Sequence, residues 1–370
     1  MKNQLIPLSQ KLISFDTINP PGNELEAMEY LEDYLKSEGF TTSLHIFEAG
    51  RANLVATVRS KKNNPPLCFT GHLDVVPLGK AIWSKKPFGG EVAEGKIYGR
   101  GSSDMKCGVA SIVASAIEAH RQKPDELDLC LILTAGEERG YEGAKALVRD
   151  KIITAPIEAL IVAEPTSNIP WFGHKGCLWF KASATGVAAH GSTPELGENA
   201  IYKAVAAIEK LKNYDFKIPV HPLHGKPTLS IGTITGGSNI NSVPDFAEFT
   251  IDIRTLPNQD SKKLTEDLGK ELEGLVTLCE LSDGGAIATD PSIPWMKMCL
   301  TTIREVLPRV EKFEFGNYVT DAGILTPSFD SPPTVILGPG EASQAHKRDE
   351  YCFVEKLDQS FDLFLKIMLH

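Results

Sequence analysis

The chain has 370 residues, 42% of them hydrophobic and 23% charged, with a formal net charge of −10 at pH 7. That length exceeds one hydrophobic core and predicts two domains, and the acidic balance argues against a nucleic-acid partner, which calls for a basic face. Seven cysteines without a Cys-x-x-Cys pair point to a reducing compartment, the segment from Met1 to Pro7 lacks the apolar core of a signal peptide, and no run approaches the ~18 apolar residues of a membrane span, so a cytoplasmic location is expected.

The first half alternates helix and strand signals. Residues 24–38 carry amphipathic helical spacing, with Asn23 as N-cap and Gly39 as stop. Apolar runs predict strands at 53–58 and 67–70, a small-residue helix follows over 106–120, and further strands are predicted at 129–134 and 159–163. Runs this short and this apolar predict strands buried on both faces, as in a parallel-rich sheet covered by helices, and the alternation is that of an α/β fold. From 177 the pattern changes. Strands at 178–185, 228–234, 247–254 and 276–281, with helices at 198–211 and 261–275, spell β-α-β-β-α-β, the ferredoxin-like unit. Turn chemistry bounds it: Gly173-His174-Lys175-Gly176 on one side and Asp283-Gly284-Gly285 on the other. The expected organisation is an α/β domain with a parallel-rich mixed sheet flanked by helices, formed by residues 1–176 and 285–370. An α+β insert at 177–284 interrupts it.

Several apolar runs end in metal-binding groups. The run at 67–71 leads into His72-Leu73-Asp74, that at 129–134 into Glu137-Glu138, and that at 159–163 into Glu164. The run at 334–337 leads into Gly338-Pro339-Gly340 and then His346, while Asp104 follows Gly99-Arg100-Gly101-Ser102-Ser103. Open α/β sheets bind ligands at the carboxyl ends of their strands, so these groups are expected to converge. Each alone has a plainer explanation. His72 and Asp74 fit a solvated loop, Asp104 a helix N-cap, Glu137 and Glu138 a solvated pair, and His346 a surface histidine. The glycines before Asp104 are no phosphate loop, because no Gly-Lys-Ser/Thr follows. Taken together, five carboxylates and two histidines in one crevice would repel without counter-charge. Two divalent cations would supply it, and His, Asp and Glu suit zinc. A metal pair needs a bridging ligand, and a carboxylate serves well as one. The catalytic base must be a carboxylate that ligates no metal, and adjacent Glu137 and Glu138 can divide those two tasks. An Asp beside a metal-binding His can also accept its second N–H.

These motifs, in order from Gly71-His72-Leu73-Asp74-Val75-Val76-Pro77 through Gly99-Arg100-Gly101-Ser102-Ser103-Asp104-Met105-Lys106, Glu137-Glu138 and Glu164-Pro165-Thr166-Ser167 to Ala345-His346, resemble a known family end to end. It is the di-zinc amidohydrolase and metallopeptidase family that contains acetylornithine deacetylase, succinyl-diaminopimelate desuccinylase, aminoacylase and the carboxypeptidase G type enzymes. The resemblance implies two zinc or cobalt ions, one held by His72 and Glu164, the other by Glu138 and His346, with Asp104 bridging. It implies that Asp74 orients His72 and that Glu137 is the general acid/base, taking a proton from the attacking water and returning it to the leaving amine. It implies that the insert is a lid and homodimerisation domain, that its His190 donates to the oxyanion, reaching a partner's site, and that Asn241 and Arg254 bind the substrate α-carboxylate. A surface salt bridge is the plainer reading of Arg254.

Within the family, Asn317-Tyr318-Val319-Thr320-Asp321 and the segment 337–346 are similar to acetylornithine deacetylases, whereas Lys175 and Thr193 depart from the desuccinylase pattern. Cys107 stands where many members have Gly and is expected to be a packed small hydrophobe. The expected substrate is an N-acyl amino acid, N-acetylornithine foremost, with Asp321 as the acid that meets its cation or, equally, a turn-forming residue before Ala322-Gly323. The alternatives are a succinyl-diaminopimelate desuccinylase, in which Lys175 would pair with a carboxylate, a dipeptidase or carboxypeptidase, and a metal-binding scaffold without chemistry.

Overall fold

Short apolar runs between turns give strands, and the computed structural model, which describes residues 1–153, 156–257, 259–310 and 313–370, gathers them into two compact units. The first comprises Met1–Gly173, Ala288–Phe315 and Thr320–His370, and the second His174–Ile287 and Gly316–Val319.

The first unit is built on a mixed sheet whose strands run, from one edge, Thr41–Glu48, Arg51–Val58, Leu129–Thr134, Leu67–His72, Ala159–Val162, Thr334–Ile336 and Trp171–His174. Leu129–Thr134 through Thr334–Ile336 pair in parallel, and the flanking pairs are antiparallel. Every residue of those central parallel strands is buried, which is why their sequences are apolar without alternation. Leu31, from the helix Leu25–Ser37, and Val113, from Cys107–Gln122, join Leu54, Phe69 and Leu131 of the sheet in one core. In the same core the Phe364 ring, from Val354–Leu369, meets Phe69 edge-on at 5.5 Å. Cys107 is fully buried among Ile97, Ala114, Cys352 and Phe361, packed as a small hydrophobe.

Asn23 does not cap the helix Leu25–Ser37. The cap residue is Glu24, which makes no side-chain cap, and the Leu25 N–H goes to the Gly50 carbonyl at 3.0 Å. The Glu24 carboxylate turns to Arg51, 2.9 Å away.

In the second unit, Cys177–Thr185, Ala200–Lys212, Thr228–Gly236, Phe246–Arg254, Ser261–Glu271 and Thr277–Gly284 follow the order β-α-β-β-α-β. The antiparallel sheet runs Thr228–Gly236, Phe246–Arg254, Cys177–Thr185, Thr277–Gly284. Asn199 and Asp260 cap the two helices through their side-chain oxygens. The second helix stops at Glu271, short of Leu275, in a turn that takes Gly274 into the left-handed region at φ 76°. Phe180, Ala204, Phe249, Ile251 and Leu268 form this unit's own core. No described helix is long and apolar enough to cross a membrane.

Candidate metal centre

His72 ends its strand, Glu137 and Glu138 lie in a single turn just past Thr134, and Glu164 comes two residues after Val162. Because these strands are parallel neighbours, their carboxyl ends deliver the groups side by side. His346 arrives on the loop after Thr334–Ile336. That loop lies against its neighbours because a Cβ on Gly338 would sit 2.2 Å from the Ala163 carbonyl, and one on Gly340 2.0 Å from the Ser103 carbonyl. Asp104 does not open a helix. Cys107–Gln122 begins three residues later, and the Asp104 backbone (φ −121°, ψ 92°) lies outside the helical region. Its N–H goes to Glu350 at 3.0 Å, and its side chain faces two histidines rather than a helix end.

Asp104 places one oxygen on each side. Its Oδ1 is 3.2 Å from His72 Nε2, and its Oδ2 is 3.6 Å from His346 Nε2. On the His72 side, Glu164 Oε1 lies 3.8 Å from the same Nε2. On the other side, Glu138 Oε2 lies 3.0 Å from His346 Nε2. Two donors held at zinc distances by one tetrahedral ion stand roughly 3.3–3.6 Å apart, and these four separations bracket that value. His72, Asp104 and Glu138 offer ligand atoms within 4.8 Å of one another, and so do His72, Glu137 and Glu164.

The electrostatics demand counter-charge. Burial, and then Glu164, pushes the Glu137 carboxyl well above its usual range. Burial with Asp104 and Glu138 does the same to Glu164. Burial and then Asp104 raise Glu138 to about 7. Burial works against a charged His72, yet Asp104, Asp74 and Glu164 outweigh it and hold its pKa well up. The hydrogen bond to Glu138 raises His346. Without metal the cluster therefore keeps protons, and cations entering it would displace them. Donor types, separations and excess charge all fit a pair of divalent ions.

Asp74 is fully buried and holds more than His72. The Asp74 backbone carbonyl is the nearer partner of His72 Nδ1, at 3.0 Å, while its carboxylate Oδ1 stands at 3.5 Å. The carboxylate instead accepts the N–H of Glu137 on Oδ1 (3.1 Å) and, on Oδ2, the N–H of Glu138 (3.2 Å) and Asn19 Nδ2 (3.0 Å). Burial raises its pKa, but His72, Asn19 and these N–H groups win and the net shift is downward. One carboxylate thus anchors the turn that carries both glutamates. Asn53 supports the same loop, accepting the Ala135 N–H and donating to the Gly143 carbonyl, both at 3.0 Å. Sequence reasoning missed this role, although an Asn inside an apolar strand is a signal for it. Glu350, hidden in the charged run Lys347-Arg348-Asp349, gave no such signal.

Asp321 is only 2% exposed and accepts a hydrogen bond from the Thr134 hydroxyl, while its Oδ1 has no hydrogen-bond partner among the described residues. Burial raises it to about 6. It caps a short helix, Ala322–Ser328, with its backbone and is no exposed acceptor. Lys175, 9% exposed, donates to the Lys226 carbonyl at 2.8 Å, so the carboxylate pairing weighed for it is not the contact it makes.

His190, Asn241 and Arg254 belong to the second unit. His190 is exposed, pairs across strands with Ser242, and has its Nδ1 2.7 Å from the Ser192 hydroxyl. The Gly191 N–H reaches the Asn241 carbonyl at 2.8 Å, which brings His190 and Asn241 together. Arg254 forms an ion pair with Asp252 at 3.0 Å, the plain contact foreseen for it. Thr193 precedes a turn at Pro194–Leu196.

A largely buried His-Asp-Glu cluster at the carboxyl ends of a parallel-rich sheet, with only His346 exposed among the proposed ligands, is the arrangement of a metallohydrolase. Residues 68–370 match the peptidase family M20/M25/M40, and the chain belongs to that family. It is therefore a metal-dependent hydrolase of amide bonds. Among its relatives, a probable succinyl-diaminopimelate desuccinylase of Staphylococcus aureus (strain Mu50) is 30% identical over 400 residues, spanning 98% of each chain. An acetylornithine deacetylase of Pasteurella multocida is 31% identical over 360 residues, spanning 92% of this chain and 90% of that one. The fold is shared with the M20 family metallo-carboxypeptidase Sso-CP2 of Sulfolobus solfataricus, at a TM-score of 0.82 and 18% identity over 99% and 98% of the two chains.

Proposed function

We propose that the protein removes the acyl group from an N-acyl amino acid, with N-acetyl amino acids, N-acetylornithine among them, as substrates. The observation that carries this reading is the Asp104 carboxylate, which divides its two oxygens between His72 and His346 as a bridge between two ions would. His72 with Glu164 and His346 with Glu138 would complete the two sites. Two divalent ions, zinc or cobalt, would supply a polarised amide carbonyl and a water of lowered pKa. Glu137 offers an oxygen within 4.8 Å of the ligand atoms of His72 and Glu164 and, by resemblance, takes the role of proton carrier. It accepts a proton from water as the new C–O bond forms at the carbonyl carbon, then delivers that proton to the amine nitrogen as the C–N bond breaks. Asp74 keeps His72 and the Glu137–Glu138 turn in place. By resemblance, His190 donates to the oxyanion, Asn241 and Arg254 bind the α-carboxylate, and residues 177–284 form a homodimer interface.

A second reading, hydrolysis of N-succinyl-diaminopimelate, is favoured by the name of the Staphylococcus aureus relative. Lys175, held by the Lys226 carbonyl, and Asp321, held by Thr134, are both engaged within the protein and do not separate the two. Initial rates with added zinc or cobalt on N-acetylornithine, N-acetylmethionine, N-succinyl-diaminopimelate and dipeptides test the proposal. Higher kcat/KM on the acetyl substrates is expected. A preference for the succinyl substrate establishes the second reading, a preference for dipeptides makes the protein a peptidase, and bound metal without turnover of any of them leaves a scaffold.

A further inference from the structure

Glu350 is a fully buried carboxylate outside the proposed ligand set. It stands at the start of the strand Tyr351–Phe353, which pairs antiparallel with Lys96–Tyr98. The loop with His346 leads into one of these strands, and the turn with Asp104 leads out of the other. Glu350 ties the two together. Its Oε1 accepts the N–H of Ser103 at 2.8 Å and of Asp104 at 3.0 Å. Its Oε2 accepts the N–H of Gly101 at 3.0 Å and Arg100 Nη1 at 2.7 Å. Arg100 in turn donates to the Lys347 carbonyl at 3.1 Å, one residue past His346. Three N–H groups within four residues form a concave anion-binding turn, and here the anion is the protein's own side chain.

The turn needs that anion. Asp104 (φ −121°, ψ 92°) and Met105 (φ −136°, ψ 29°) lie outside the helical region, and the backbone bond that closes the turn, from the Lys106 N–H to the Gly101 carbonyl at 2.8 Å, leaves the N–H groups of Gly101, Ser103 and Asp104 to Glu350. Without Glu350, three buried N–H groups would lack an acceptor, and the turn would have to rearrange to find new ones. Asp104 would lose its aim between His72 and His346.

We propose that Glu350 is a positioning residue: by binding the backbone of Gly101, Ser103 and Asp104 from the strand that follows His346, it presets the Asp104 carboxylate and the His346 loop for a metal pair before any metal arrives. The inference rests on the dinuclear reading of the site. Two measurements test it. Amide hydrogen exchange on metal-free wild-type protein should show residues 101–104 protected, and Glu350→Gln should lose that protection locally. Zinc affinity, measured by competition with a chromophoric chelator well below the melting transition, should be about 10–100-fold weaker in Glu350→Gln, the range typical of groups that orient metal ligands. A residue that merely stabilises the fold would lower the melting temperature and leave zinc affinity of the folded protein unchanged, and that result overturns the proposal. If Glu350→Gln does not fold, the wild-type exchange decides: free exchange at 101–104 until zinc is added means that metal, not Glu350, orders the turn. Wild-type protein that takes up no metal pair, with protection still lost in Glu350→Gln, overturns the dinuclear reading and leaves Glu350 holding the backbone alone.

Discussion

Replacing Asp74 by asparagine keeps the side-chain shape and removes one acceptor and one charge. The carboxylate now accepts from the Glu137 N–H on one oxygen and from the Glu138 N–H and Asn19 Nδ2 on the other, all in a fully buried setting. An amide can keep its oxygen on the side of Glu138 and Asn19. Its NH2 group then faces the Glu137 N–H, donor against donor. A buried N–H left without an acceptor costs about 1–3 kcal/mol, and each bond that loses charge assistance weakens by about 1 kcal/mol. The expected destabilisation of the metal-free protein is therefore about 3–5 kcal/mol. Because the same change loosens the Glu137–Glu138 turn, zinc affinity should fall about 10–100-fold and kcat with it. Calorimetry of the metal-free protein and a zinc titration of Asp74→Asn measure both effects. A variant with wild-type melting temperature and wild-type zinc affinity would refute the argument that Asp74 anchors this turn.

Glu137→Ala should retain two metal ions per chain, counted by elemental analysis, while kcat drops about 10²–10⁴-fold, the usual share of a proton carrier; near wild-type rates would remove Glu137 from that role. Metal removal should make stability depend on pH in a particular direction. Burial holds Glu138 up to about 7 and Asp321 up to about 6, and Glu137, Glu164, His72 and His346 are also raised. Each such folded pKa lies above its unfolded value, so the stabilisation is complete below the unfolded pKa and disappears as pH climbs through the folded one. Burial lowers His174 and His224 to about 4 and Lys106 to about 7, which works the other way, but the six raised groups outnumber these three. The metal-free protein should therefore melt higher near pH 5 than near pH 8, and added zinc should reverse the order; a metal-free melting temperature that climbs over the same interval would show that the raised cluster does not dominate. His190→Ala mixed with Glu137→Ala should regain activity in heterodimers if His190 serves a partner's site, and heterodimers shown to form without recovery would place its action within one chain.

Local chemistry alone was enough to specify much of this protein. The central strands are legible because apolar runs this short, bounded by turn signals and without alternation, fit strands buried on both faces. The second unit's helices are legible from their apolar spacing, while the caps that start them, Asn199 and Asp260, come from the structure. The convergence of His72, Glu137, Glu138 and Glu164 was legible because they stand at or just past the ends of buried strands, and parallel neighbours bring such ends together. Tertiary structure alone decided how those donors are aimed. The Asp104 turn looks like a helix start in sequence, and its non-helical backbone is held by Glu350, 246 residues away, which accepts its N–H. The Asp74 carboxylate reads as a partner for its neighbour His72, yet its bonds go to backbone groups 63 and 64 residues on. Asp321 looks like a turn residue, and its burial against Thr134 depends on a contact across 187 positions. Periodicity and capping report on a residue's nearest few neighbours along the chain; which buried donor meets which acceptor is settled only when distant segments pack.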